Sequence, residues 1–120
     1  MSQALKDRTK KFALDVWYLC SQLPHTREYT NYVNQLLRCS NSIAANYRAA
    51  IRAKSNADFI NKLKIVEEET DESQFFLELL IAINTNEKLG SELGRLHKEV
   101  DELLAIFVAS LKTARLNFTK

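Results

Sequence analysis

Two glycines (Gly90, Gly94) and one proline (Pro24) in 120 residues constrain this chain more than any other feature. Average usage would supply about eight and six, and tight turns depend on these two residue types. A chain so poor in them has few corners, and the segments between corners must be long. Apolar residues recur at three- and four-residue spacing in four such segments, which is the mark of amphipathic helices.

The first segment carries Leu5, Phe12, Val16, Leu19 and Leu23, with Ala13, Trp17 and Cys20 widening the stripe, and Pro24 ends it. The second starts after His25, with Thr26 as the candidate N-cap, and runs through Tyr29, Val33, Leu36, Leu37, Ile43, Tyr47 and Ile51. Ser40 and Ala44 are small positions on it where a neighbouring backbone can approach. Ser55 followed by Asp58 resembles a capping box, so the third helix is expected to start there. Its stripe is Phe59, Leu63, Val66, Leu77 and Leu80, with Ile65, Phe76, Leu79 and Ile83 on the adjoining face. After a break near Asn84 to Asn86, the fourth helix takes Leu93, Leu96, Val100, Leu103, Leu104, Phe107 and Leu111. Short connections make consecutive helices antiparallel, so the expected fold is an all-α, up-down-up-down four-helix bundle formed by one domain over residues 1–120. Gly90 and Gly94, spaced i,i+4 near the start of that helix, are expected to form a packing notch.

The chain starts MSQALKDRTKKF, with no signal-peptide apolar core. The longest apolar run, Leu103 to Ala109, is far short of the roughly 20 residues that span a bilayer. With only Cys20 and Cys39, unsuited to a disulfide framework and read as buried free thiols, a cytoplasmic protein with no membrane association is expected.

Net charge is +2, but residues 1–66 hold 11 Lys/Arg against 4 Asp/Glu while residues 67–120 hold 6 against 11. Such a split fits a nucleic-acid-facing end, a self-complementary assembly, or basic and acidic helix faces paired inside one bundle.

Catalytic patterns are missing. A bundle rich in carboxylates invites a di-metal reading, which needs inward glutamates and Glu-x-x-His pairs on two helices. The histidines are His25 and His97, and the residue three before His97 is Gly94, so no such pair exists. No catalytic residues, no metal site and no cofactor are expected, and the chain reads as non-enzymatic. The densest charge is the cluster Glu67, Glu68, Glu69, Asp71 and Glu72. Antiparallel register about a turn near Lys54 and Ser55 places Arg38 opposite Asp71 and Glu72, so a structural ion pair among Arg38, Asp71 and Glu72 is expected in a partly buried seam. Losing one partner of such a pair costs about 3 to 5 kcal/mol when it is fully buried, and much less when water reaches it.

The other basic residues cluster elsewhere. Arg48 and Arg52 lie i,i+4 on the second helix, and Lys54 and Lys62 lie around the following turn. They are expected to form an exposed basic rim. The rim lacks interleaved aromatics and any helix-turn-helix or zinc signature, so nucleic acid would be held through its phosphates, without base readout.

The stretch QLLRCSNSIAANYRAAIRAKSNADFINKLKIVEEETDESQFFLELL, from Gln35 to Leu80, resembles the central signature of the 23S ribosomal RNA intervening-sequence family of four-helix-bundle proteins, and ELLAIFVASLKTAR, from Glu102 to Arg115, resembles that family's fourth helix. The positions that carry the resemblance are Arg38, Ser42, Ile43, Asn46, Ser55, Phe59, Ile60, Leu63 and Glu72. Where many members have Glu-Gly after the Asn, this chain has Ala49 and Ala50 preceded by Arg48, and so resembles a sub-branch. The resemblance implies a bacterial homo-oligomer, typically a pentamer, of unknown function and without known enzymatic activity, encoded in insertions of ribosomal RNA genes. A more distant likeness joins the family to the accessory proteins of diversity-generating retroelements, which bind a reverse transcriptase and its RNA. The partners expected are therefore further copies of the chain, RNA, and another protein; the alternative function is a purely structural scaffold with no nucleic-acid affinity. Trp17, Phe75 and Phe76 exceed what one four-helix core can hold, which also points to a subunit interface.

Overall fold

The computed structural model describes residues 2–119. They form four α-helices: α1 (Ser2–Ser21), α2 (Arg27–Ala50), α3 (Asn56–Ile83) and α4 (Glu87–Thr119). The helices begin where side chains satisfy their free amides. The Thr26 hydroxyl accepts from the Tyr29 N–H at 3.3 Å, and the Ser55 hydroxyl accepts from the Asp58 N–H at 3.1 Å. Asn86 does the same for α4, its Oδ1 accepting from the Leu89 N–H at 3.0 Å. Each such cap contributes about 1 kcal/mol.

The turns are made without glycine. No non-glycine residue among those described has a positive φ, and neither does either glycine; both lie inside α4. The notch expected of the glycine pair is only half formed. A Cβ on Gly90 would sit 3.2 Å from the Asn84 side-chain nitrogen, whereas one on Gly94 would meet nothing within 4 Å.

Cross-helix bonds fix the directions. Tyr29 donates to the Ile83 carbonyl while Arg38, nine residues on, reaches back to Glu72, so α2 and α3 are antiparallel. Gln74 with Asp101 and Glu78 with His97 give the same sense to α3 and α4, and Arg8 with Glu99 and Asp15 with Arg95 give it to α1 and α4. The backbones of α1 and α2, α2 and α3, α3 and α4, and α4 and α1 lie side by side, and the diagonal pairs approach only through side chains in the core. This is the arrangement of a four-helix bundle, here 51 × 21 × 20 Å.

The core follows a seven-residue rhythm. On α3 the buried positions are Leu63, Val66, Thr70, Ser73, Leu77 and Leu80, and α4 answers with Leu89, Leu93, Leu96, Val100, Leu103, Phe107 and Leu111. Spacing of alternately three and four keeps the seam facing the partner helices. The apolar stripe read for α3 broke between Val66 and Leu77 because two of its inward positions hold hydroxyls. Thr70 donates to the Val66 carbonyl at 2.6 Å and Ser73 to the Glu69 carbonyl at 2.9 Å, so neither is buried without a partner. Cys20 and Cys39 are free and buried, and burial pushes their thiols up to about 12 and about 11.

The helices lengthen along the chain, from 20 residues in α1 to 33 in α4. With Arg8 paired to Glu99, the start of α1 is roughly level with Ala105 at 1.5 Å per residue. Beyond that level only α2, α3 and α4 continue. There the rings of Tyr47 and Phe107, 5.7 Å apart, close the core.

Candidate functional site

The three-helix end is built around the α2 to α3 turn. The amides of Arg52 and Ala53 bond back to the carbonyls of Ala49 and Ala50 at 3.2 and 3.0 Å, winding the chain down without a left-handed residue. Positions 52 and 54 can therefore carry long side chains where a glycine would otherwise stand. Arg48 lies in the last turn of α2, where the helix carbonyls favour a cation.

Arg48, Arg52 and Lys54 are exposed and Lys62 is half-buried. None of the four forms an ion pair or side-chain hydrogen bond among the described residues. Arg8, Lys11, Arg38, Lys64 and Arg95, by contrast, are all tied to carboxylates. The structure brings Arg48 and Arg52 together on one shallow depression with Ala45 and Ala49. Lys54 borders a second depression with Ala50, Ser55 and Phe59. Lys62 stands apart, about 10 Å up α3 from Ser55, and lines neither.

Two cations missed by the sequence reading belong to the same end. The antiparallel return of α4 brings Lys112 and Arg115 alongside α3, where they share a groove with Glu67. Residues 45–62 hold four Lys/Arg against Asp58, and Lys112 and Arg115 lie beside Glu67. The signal was available, since the up-down order places the end of α4 beside the start of α3.

The ion pair expected at Arg38 forms with Glu72, one of the two carboxylates named, and with Glu69 in place of Asp71. Arg38 bonds Glu72 at 2.5 Å and Glu69 at 3.0 Å, while Asp71 is exposed and lies outside the pair. The reason is helical geometry: Asp71 is turned about 100° from Glu72, whereas Glu69 sits one turn back on the same face. The guanidinium side chain is 51% exposed. Its pKa is raised above the ordinary arginine value, first by the hydrogen bond with Glu72.

The α1–α4 seam is also ionic. Asp15 receives Lys11 and Arg95, which outweigh the burial that alone would raise its pKa, so the carboxylate titrates below its ordinary value. Arg95 lowers Glu92 in the same way. Among the described residues no group of three or more His, Cys, Asp or Glu is placed to hold a metal ion, and no helix is long and apolar enough to cross a membrane.

Two apolar patches lie on the outside of the bundle. On α1, Trp17 and Tyr18 are 57% and 59% exposed, stack edge to face at 5.2 Å, and adjoin exposed Leu14. On the α2–α3 side, Phe75 is 52% exposed and packs on Phe76, which in turn meets Tyr32. The patches lie on different helices, one on α1 and the other on α3 beside α2.

A family model described as 23S rRNA-intervening sequence protein matches residues 3–109. Among solved structures, a protein of unknown function from the S23 ribosomal protein family of Bacteroides thetaiotaomicron VPI-5482 is similar, with a TM-score of 0.81 at 31% identity. The match covers 92% of this chain and 97% of that one. No curated protein matches significantly.

Proposed function

The chain belongs to the 23S rRNA-intervening sequence protein family, and on that premise we propose that it acts as a non-enzymatic homo-oligomer whose basic end contacts RNA phosphates. The observation that carries this reading is the basic end itself: Arg48, Arg52, Lys54 and Lys62 have no carboxylate partner, whereas ion pairs hold Arg8, Arg38 and Arg95 along the seams. Unneutralised cations gathered at one end are a site for polyanions.

Assembly multiplies the effect. Two dissimilar apolar patches on different helices suit a heterologous contact, which closes into a ring when the rotation allows. Bundles standing side by side in such a ring present all their basic ends on one side. Five subunits, the stoichiometry the resemblance implies, would repeat the four cations five times around the axis.

Fluorescence anisotropy with a structured RNA tests the contact. Four phosphate contacts per subunit predict a fall in affinity of about a hundredfold between 50 and 200 mM salt. Arg48→Ala with Arg52→Ala should weaken binding to the same extent for unrelated RNA sequences. Absence of binding by the wild type at low salt would favour the protein scaffold without nucleic-acid affinity.

A further inference from the structure

Between Glu28 and Asp58 the chain has no carboxylate side chain, yet it carries Arg38, Arg48, Arg52 and Lys54. The outer face of α2 in this stretch is a narrow strip. Asn41, Ala45, Arg48 and Arg52 recur at three- and four-residue spacing and are all exposed, with Ala49 half-buried beside them. The strip is about 17 Å long, and its Arg48–Arg52 half is a shallow depression floored by the methyl groups of Ala45 and Ala49. The pairs Gln74–Asp101 and Arg38–Glu72 carry the level of Ala105 across to about Ser40 of α2, so α1 starts too low to cover the strip.

The charges that flank it come from α3, where the same level runs from about Asp58 to Glu69. Glu67 is bonded to Lys64 and Glu69 to Arg38. Glu68 is exposed near the Asn41 end, and Asp58 is half-buried near the Arg52 end. Against these two carboxylates stand Arg48, Arg52, Lys54 and Lys62, none of them in an ion pair among the described residues. The strip therefore favours a polyanion.

Its other groups narrow the kind of polyanion. Single-stranded RNA is held by stacking its bases on aromatic rings. The most exposed rings among the described residues, Trp17, Tyr18 and Phe75, lie on α1 and α3, and Tyr47 beside the strip is buried. A duplex needs no such platform, because its bases already stack on one another. A straight helix face floored by alanine suits the wide, shallow minor groove of A-form RNA, which displays 2′-hydroxyls between its two phosphate edges. The Asn41 amide has no hydrogen-bond partner among the described residues, whereas Asn46 donates to Ser42. It offers both the donor and the acceptor that a 2′-hydroxyl can match.

We propose that this strip docks along the minor groove of double-helical RNA, with Arg48 and Arg52 on phosphates of one strand and Asn41 on a 2′-hydroxyl. The inference rests on the RNA contact proposed above and names the form of RNA that the contact takes.

Fluorescence anisotropy at low salt tests it with an RNA duplex of about 20 base pairs, an unstructured single strand of the same length, and the matching DNA duplex. The RNA duplex should bind about tenfold or more tightly than either of the others. Ala45→Leu, which raises the floor, should weaken the duplex about tenfold and leave the single strand unchanged. Asn41→Ala should weaken the RNA duplex about fivefold and leave the DNA duplex unchanged. Both positions are exposed, so both variants should keep the wild-type melting temperature within a few degrees. Equal affinity for duplex and single strand, or for RNA and DNA duplexes, would overturn the proposal. The phosphate contact would survive that result as long as Arg48→Ala with Arg52→Ala still weakens binding. Duplex binding unchanged by either Ala45→Leu or Asn41→Ala would also overturn the proposal, by placing the duplex elsewhere. No binding of any of the three nucleic acids would remove both readings together.

Discussion

Arg38 shows what a single residue contributes to the pairing of α2 with α3. Its guanidinium reaches two carboxylates one turn apart on α3, Glu69 and Glu72, and so fixes the register of the two helices at that level. Because half of the side chain is in water, the pair falls in the range of solvent-screened ion pairs, about 1 kcal/mol or less, rather than that of a fully buried one. A double-mutant cycle on Arg38→Met and Glu72→Gln, read by urea unfolding, should give a coupling of about 0.3 to 1 kcal/mol. Zero coupling would mean that Glu69 alone holds the arginine. The sequence located this contact along the helix and, in part, around it. Counting back from the turn at Ser55 finds the level of Arg38, while choosing between Asp71 and Glu69 requires the rotation of α3 about its axis. Glu69 and Glu72 share a helix face with Ile65, Phe76, Leu79 and Ile83 and so face a seam, although Thr70 and Ser73 at inward positions interrupt the apolar stripe.

The helices themselves were legible almost to the residue. Thr26 and Ser55 mark the starts of α2 and α3 through bonds to amides three residues on, a purely local interaction that composition and spacing reveal. Asn86 escaped notice because it lies in an Asn-Thr-Asn break whose side chains bond one another's backbone, with Asn84 donating to the Asn86 carbonyl at 2.7 Å. Glycine was the least reliable guide, since both copies sit within α4 and only Gly90 has a near neighbour. An alanine at position 94 would meet nothing and would remove backbone freedom from the unfolded chain. Gly94→Ala should stabilise the protein by about 0.5 to 1 kcal/mol and raise its melting temperature by a few degrees. Gly90→Ala should gain less, because the Asn84 amide would have to move. A calorimetric scan showing Gly94→Ala below wild type would reveal a contact at position 94 that the bundle alone does not contain.

Across the whole molecule, the arrangement of the patches makes assembly testable without a partner structure. If the contact is heterologous, Trp17→Asp and Phe75→Asp each spoil a different half of it. Either variant alone should run near the 13.8 kDa chain mass in light scattering, and the wild type, if the proposed ring forms, at a multiple of it. Mixed together, the two variants should yield heterodimers and nothing larger, since each supplies the half the other lacks. An isologous contact would be broken by one substitution and untouched by the other. The surplus of large aromatics was visible in the sequence, but not which of them stay exposed, which is set by how the helices pack. The basic end was only partly visible for the same reason, since Lys112 and Arg115 join it through the return of α4. The turn at that end has one more consequence. Because it closes with every non-glycine φ negative, positions 52 to 54 are open to side chains other than proline at little cost, within about 0.5 kcal/mol for a surface exchange. The residues that would meet a partner can then drift, duplicate or reverse in sign along a lineage while the bundle beneath them goes on folding unchanged.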